Sequence, residues 1–400
     1  VCGEKPHNVL DLGTMPNANE LVKKEELSKV ESYPLRFYWC KKCALLQQLS
    51  LVESTKLFGD NYTYQTGVSK PVVDHLIELS KDLKKRLPNR KLAVIIASND
   101  GTEIDVIEKE AGFEKVIGVE PAKNMADIAN ERGLFTINEF FSYAFSKKLL
   151  KQFGKVDFVL ANNVFAHVPY PGDLLLGVKN ILGDEGYVVI EVQWLKDLVK
   201  TLSIDTLYAE HYYVWSVKAM KYLARLCGLV VTDITYLPNQ QGGSLRFWLR
   251  SKGKETSKFE EVEKSTGLYS LAKMKGLQKR ANARKVKFRT LLGGLKDKGA
   301  VIDIWAVPAK VPTILNFCGI DSTYIRYAYD STTTKMNNYM PKSNILIKDE
   351  KLLNNDMPDK PDYIIIGAWN YMNFAKKKLS WFTEGGGKLI DPLNSRILRK

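Results

Sequence analysis

Between residues 92 and 193 one motif keeps returning: a short run of Val, Ile, Leu and Ala, then a turn, then a stretch with helical periodicity. The runs "KLAVIIASNDG", "KVIGVEP", "VDFVLANNV" and "GYVVIEV" are apolar at odd and even positions alike, so neither side of such a strand is left for water. Strands buried on both faces and separated by helices describe a doubly wound α/β domain. A helix spelled "PVVDHLIELSKDLKKRL" leads into the first run, and "LVVTDITYL" and "SLRFWLR" follow the last. A second series, "GAVIDIWAVPAK", "YIRYAYD", "DYIIIGAWN" and "GGKLIDPL", reads as a separate Rossmann-like domain. Ahead of both, the first 65 residues are short on helical periodicity and carry Cys2, Cys40 and Cys43, which suggests a small module stapled by metal. The expected division is 1–65, 66–253 and 254–400.

Length and composition agree with several cores in one chain, since 400 residues with 45% hydrophobic content exceed one ordinary domain. No apolar run approaches the roughly 20 residues that span a bilayer, and no secretory signal is visible. The chain opens at Val1 and not at Met, so residues ahead of it are expected to be missing. Five cysteines, two of them in one C-x-x-C, make no disulfide framework and suit a reducing cytoplasm. The formal charge of +14 is densest in "KMKGLQKRANARKVKFR", residues 273–289. That stretch reads first as a solvated helix face around Leu277, Ala281, Val286 and Phe288, and second as a surface attracting phosphate.

Cys40 and Cys43 have the two-residue spacing that lets both thiolates reach one tetrahedral zinc, with Cys2 as the third ligand. The fourth is either a residue ahead of Val1 or His7; free thiols are the alternative. A closed four-ligand site leaves no position for substrate, so the metal is expected to be structural.

The first strand ends in the turn Ala97, Ser98, Asn99, Asp100, Gly101, at the edge where open α/β sheets bind ligands. The next strand ends in Glu120, followed by Pro121, and a carboxylate there can accept hydrogen bonds from both hydroxyls of a ribose. No G-x-G-x-x-G cradle for a pyrophosphate accompanies the pair, which favours S-adenosylmethionine (SAM) over a dinucleotide.

Seven segments in order then resemble one family: "LGTMPNANEL", "YPLRFYWCKKCALLQQ", "IASNDG", "GVEPAKNMADIANERG", "LANNVFAHV", "DTLYAEHYYVWS" and "GGSLR". They look like the zinc-binding nucleotide-sugar C-methyltransferases, and "VPAKVPTILNFCGI" and "YMPKSNILI" extend the likeness into the C-terminal domain. The resemblance implies SAM-dependent methylation of a ring carbon, typically C3, of a 4-keto-deoxysugar joined to a nucleoside diphosphate. It implies His211 as the base, Tyr208 on the substrate or the enolate oxygen, and Glu210 as the orienting carboxylate, with His167 a substrate contact or second acid/base. Asn124, Asn162 and Asn163 join the cofactor set, and Tyr62, Tyr64, Asn163, His167 and Arg246 the sugar side. A histidine suits abstraction of a proton beside a ketone because its ordinary pKa lies near neutrality. His75, on the apolar phase of a helix, reads as incidental. Against the family pattern, Ile95 stands for an acidic residue, Ala209 for a histidine, and Gln193-Trp194 for Pro-His. The expected partner is a nucleotide-sugar, with neither membrane nor nucleic acid, and the expected state is a monomer or dimer. Methylation of oxygen or nitrogen on another acceptor, and a binding protein that kept the fold without catalysis, are the competing functions.

Overall fold

The computed structural model describes residues 1–53, 57, 62 and 64–398. Strands β1 (His7–Met15), β2 (Tyr33–Trp39) and β3 (Leu46–Gln47) form an antiparallel sheet, and the Cys40–Cys43 turn joins the last two. Ala44 closes that turn at φ 59°, its amide donating to the Cys40 carbonyl at 2.8 Å.

The central domain contributes β4 (Leu92–Ile96), β5 (Lys115–Val119), β6 (Thr136–Ile137), β7 (Val156–Asn162) and β8 (Leu182–Gln193), all parallel. Next in the chain, β9 (Tyr213–Val214) leaves this sheet and pairs with β3 of the N-terminal one. The hairpin β10 (Val230–Leu237) and β11 (Ser244–Arg250) completes the order β10-β11-β8-β7-β4-β5-β6, with β11 antiparallel to both neighbours. Alternation within β4 explains its continuous apolar run. Ala93 and Ile95 pack with Leu79 and Leu83 of helix Lys70–Arg86, whereas Val94 and Ile96 pack on the opposite face with Leu149 and Val178. Ile95 therefore faces the core.

The C-terminal sheet repeats the plan with β12 (Ile302–Trp305), β13 (Tyr327–Asp330), β14 (Tyr339–Met340), β15 (Ile345–Asp349), β16 (Tyr363–Ile366), β17 (Lys388–Asp391) and β18 (Arg396–Ile397), in the order β14-β15-β13-β12-β16-β17-β18. Both sheets have a switch point: β4 lies between β5 and β7, and β12 between β13 and β16. Connections leave each central strand in opposite directions, which opens a crevice at its carboxyl end.

The basic stretch belongs to the 26-residue helix Leu271–Lys296. Met274, Leu277, Ala281, Phe288, Leu292 and Leu295 are its buried stripe, packed into one core with β1 and the C-terminal sheet. Val286, expected on that stripe, is 64% exposed. Several of the helix's cations serve the fold, Arg280 and Arg284 among them. Arg280 donates to the carbonyls of Val199 (2.7 Å) and Lys200 (3.1 Å), and Arg284 to Thr201 (2.7 Å) and Leu202. Together they cap the negative end of helix Leu195–Thr201. No helix among the described residues is long and apolar enough to cross a membrane.

Candidate active site

A cavity of about 830 Å³ lies where the carboxyl edges of the two large sheets face each other. Its wall on the central side includes Ala97, Asn99, Glu120, Pro121, Asn162 and Asn163, and on the far side Trp305, Lys310, Asp330 and Lys335.

The turn after β4 depends on left-handed backbone at Ala97 (φ 55°), Asn99 (φ 52°) and Gly101 (φ 81°). A Cβ at Gly101 would also fall 2.7 Å from Leu134 Cδ1, so glycine is required on two counts. Glu120 accepts the Asn99 amide through Oε2 and the Ala122 amide through Oε1, each at 2.8 Å. Burial pushes its carboxyl up to about 7, against the pull of those two amides. Each oxygen accepts one amide and can accept again, which is the acceptor set that two ribose hydroxyls need. The other expected cofactor residues do different work. Asn99 Oδ1 accepts the Thr66 amide at 2.8 Å and its Nδ2 donates to the Tyr64 carbonyl at 3.0 Å. Asp100 takes the Gly67 amide at 2.9 Å, and Asn124 Nδ2 donates to the Tyr62 carbonyl at 2.9 Å. Asn99, Asp100 and Asn124 thus fasten the aromatic loop over the turn. Ser98, Asp100, Gly101 and Asn124 are not among the lining residues, whereas Tyr62 and Tyr64 are. Residues 58–61 and 63 of that loop lie outside the described residues.

The histidines meet across the cavity floor. His167 and His211 stack edge to face with centroids 4.6 Å apart, and Tyr208 lies 4.0 Å from His211. His211 Nδ1 pairs with the Thr206 carbonyl at 2.6 Å, and His167 Nδ1 with the Glu210 carbonyl at 2.8 Å. A carbonyl can only accept, so in both neutral rings the proton sits on Nδ1 and Nε2 carries the lone pair. Burial holds His167 down to about 4; burial and then the neighbouring His167 hold His211 well below its ordinary value. Burial also raises the Glu210 carboxyl to about 7, and Asn19 Nδ2 donates to both of its oxygens at 3.1 Å.

Several participants carry no legible signal of their own in the sequence. Gln48, 5% exposed, donates through Nε2 to the carbonyls of Tyr208 (3.2 Å), Ala209 (3.2 Å) and His211 (2.9 Å), and so holds the histidine segment from the N-terminal module. Gln193 Oε1 accepts from Thr206 Oγ1 at 2.8 Å, which steadies the carbonyl that fixes His211. Trp194 instead donates to buried Glu263 at 2.6 Å. His75 is not incidental: it lines the cavity, with Nε2 2.6 Å from Glu191 Oε2. Arg246, expected on the sugar, does not line the cavity. It is 2% exposed and ion-paired to Glu191 and, at 3.3 Å, to Asp82, so it reaches the cavity only through the Glu191–His75 pair. The resemblance placed this arginine on the sugar side; its guanidinium is instead spent on Glu191 and Asp82.

On the far side, Asp330 repeats the geometry of Glu120. It ends the strand beside the first one and accepts the amides of Val307 (2.7 Å) and Thr332 (2.9 Å), with Lys335 Nζ 3.4 Å away. Lys310 lies 4.5 Å above the Trp369 ring, and burial lowers its ammonium to about 8 while Asp205 pulls the other way. A strand end, "VPAK" and a helix start spelled this edge in the sequence, but nothing there said that it would face the other domain.

Cys2, Cys40 and Cys43 converge, their sulfurs all within 4.8 Å of one another and those of Cys2 and Cys40 3.4 Å apart. Three buried or half-buried thiols in a cluster of this size suit one zinc. His7 is not in the cluster; it pairs with Trp39 across β1 and β2 and is exposed.

Three family models match in series: a zinc binding domain over residues 1–58, a methyltransferase domain over 79–234, and a C-methyltransferase C-terminal domain over 239–393. The C-methyltransferase NovU of Streptomyces niveus is 27% identical over 403 residues, covering 98% of this chain and 94% of that one. Among solved structures, a SAM-dependent methyltransferase from Archaeoglobus fulgidus matches at 17% identity and TM-score 0.36, over 41% of this chain and 72% of that one. An O-methyltransferase family protein from Burkholderia thailandensis matches at 15% and 0.36, over 47% and 57%.

Proposed function

We propose that this chain, a SAM-dependent methyltransferase built of a zinc-binding, a methyltransferase and a C-methyltransferase C-terminal domain, methylates a carbon of a nucleotide-linked 4-keto-deoxysugar. The observation that carries the reading is His211, a neutral imidazole with Nδ1 pinned, placed in a cavity between two strand-end carboxylates. We divide the labour at residues 65 and 253: the first part holds zinc, the second the methyl donor, and the third the nucleoside diphosphate.

SAM, when bound, supplies a methyl group on a cationic sulfur. Glu120 accepts from the ribose hydroxyls, and Ala97, Asn99 and Pro121 line the adenosine. On the opposite edge Asp330 and Lys335 offer an acceptor and a cation, and Lys310 a second cation, for the nucleoside diphosphate. The proton on C3 of a 4-keto sugar is acidic because its loss leaves an enolate. The C–H electron pair moves into the C3–C4 bond, the carbonyl π pair moves onto oxygen, and the proton goes to His211 Nε2. Tyr208, over the His211 ring, hydrogen-bonds the enolate oxygen. Glu210, oriented by Asn19, holds a sugar hydroxyl, and His167 buttresses the same segment through the Glu210 carbonyl. Burial makes His211 a weak base in the empty cavity; the negative charge of a diphosphate raises its proton affinity when substrate arrives.

Mass spectrometry after incubation with SAM and a panel of nucleotide 4-keto sugars tests this. A mass gain of about 14 Da that resists hydrolysis and sits on carbon is expected. Methyl found only on oxygen or nitrogen, or no turnover with bound SAM, overturns it.

A further inference from the structure

Glu103 stands in the cavity wall and has no part in the roles above. Glu103 is the second residue of the helix that follows the Gly101 turn, and it is 5% exposed. Its Oε1 accepts from Asn162 Nδ2 at 2.8 Å, whereas Oε2 has no hydrogen-bond partner among the described residues. The residue lines the cavity alongside Asn99, Glu120 and Asn162. Burial raises its carboxyl to about 8; the Asn162 amide opposes the rise, and the carboxylates of Glu191, Asp100 and Glu120 reinforce it. Arg246 and His75 pair with Glu191, and Arg132 donates to the Asp100 carbonyl and to Thr102 Oγ1. An acceptor left unpaired inside a protein is costly, and no described residue supplies a donor here. A ligand must.

We propose that Glu103 binds the α-ammonium group of the methionine moiety of SAM. The proposal rests on the reading of this edge as a SAM site. SAM carries two positive charges, and only one of them can satisfy an unpaired oxygen. The sulfonium has no hydrogen to donate, whereas the primary ammonium has three and can reach a carboxylate while its other hydrogens find carbonyls. Glu103 lies on the strand-end side away from Glu120, so ribose and amino-acid ends are gripped by different carboxylates. Ammonium binding ionises Glu103 and expels its proton.

The test compares S-adenosylhomocysteine with its analogue lacking the α-amino group, by calorimetry at pH 7.5, on the full-length wild type and on Glu103→Gln. Wild type is expected to prefer the amino form by roughly tenfold to a hundredfold, the value of a hydrogen bond between charged groups. In Glu103→Gln, which keeps the shape and the bond to Asn162, the preference falls below about threefold. Titrations in buffers of different ionisation enthalpy should show the wild type releasing about one more proton per ligand than the variant, since Glu191, Asp100 and Glu120 remain in both. Unchanged affinity in the variant, or a preference that survives there, overturns the assignment. If Glu103→Gln does not fold, Glu103→Met gives the same readings. Wild type that binds neither compound brings down the SAM reading itself, and the proposal with it.

Discussion

At the scale of single residues, the cavity keeps charges and neutral groups against their usual habits, and each anomaly can be measured. His211→Asn should leave the affinities for SAM and substrate nearly intact while turnover falls by about a hundredfold to ten-thousandfold, the range for a lost general base. Deuterium wash-in at C3 in heavy water checks the same step without the methyl donor: it should vanish in His211→Asn and persist in His167→Asn, and the reverse result would exchange their roles. Glu120→Ala should weaken SAM binding by about 1.5 to 3 kcal/mol, read by calorimetry. His167 also links pH to stability. Its folded pKa of about 4 lies below the ordinary value, so the unfolded chain takes up the proton first. Its contribution is complete above about 6.5 and drains away as pH falls toward 4; chemical denaturation of His167→Gln across that window should show a shallower acid loss than wild type. The Glu120 turn and the histidine segment were legible because strand-end position and residue chemistry coincide there. His75, Asn19 and Glu103 were not, since each is chosen by what the fold brings beside it: Glu191, Glu210 and Asn162 lie 116, 191 and 59 residues away in sequence.

Among elements, the short strand β9 carries more consequence than its length suggests. It pairs with β3 directly after the Cys40–Cys43 turn, and Gln48 then fixes the carbonyls of the segment that carries His211. Removing the metal should therefore act on rate before binding. Cys40→Ser/Cys43→Ser protein should hold far less than the about one zinc expected of the wild type, by metal analysis, and turn over more slowly while still binding S-adenosylhomocysteine. Loss of binding and turnover together would mean that the module holds up the whole central domain. The apolar runs announced the buried parallel strands, because a strand covered on both sides must be apolar on both sides. β9 could not be read that way: two residues inside an aromatic segment carry no period. The long basic helix has the solvated face that its charge announced, with Lys273, Lys275, Lys279 and Lys287 exposed. What its charge did not announce is that Arg280 and Arg284 are occupied with the carbonyl end of helix Leu195–Thr201.

For the molecule as a whole, two α/β sheets present their ligand-binding edges to one space, and the proposed division of donor and acceptor follows from that opposition. Lys310→Met should weaken the nucleotide-sugar by about 1.5 to 3 kcal/mol and leave S-adenosylhomocysteine unaffected, measured by calorimetry on each ligand separately. Equal losses for both would place Lys310 at a hinge common to the two halves. Trp369 marks the seam between them. Its indole N–H donates to Asp205 at 2.5 Å, and a Cβ on Gly242 would come within 2.6 Å of its ring. Anyone grafting a relative's last 150 or so residues here, to redirect the enzyme to a new acceptor, inherits that contact as the junction to preserve. A donor half left untouched can then be offered foreign sugars, provided that the incoming half brings a tryptophan to the aspartate and the recipient keeps its glycine.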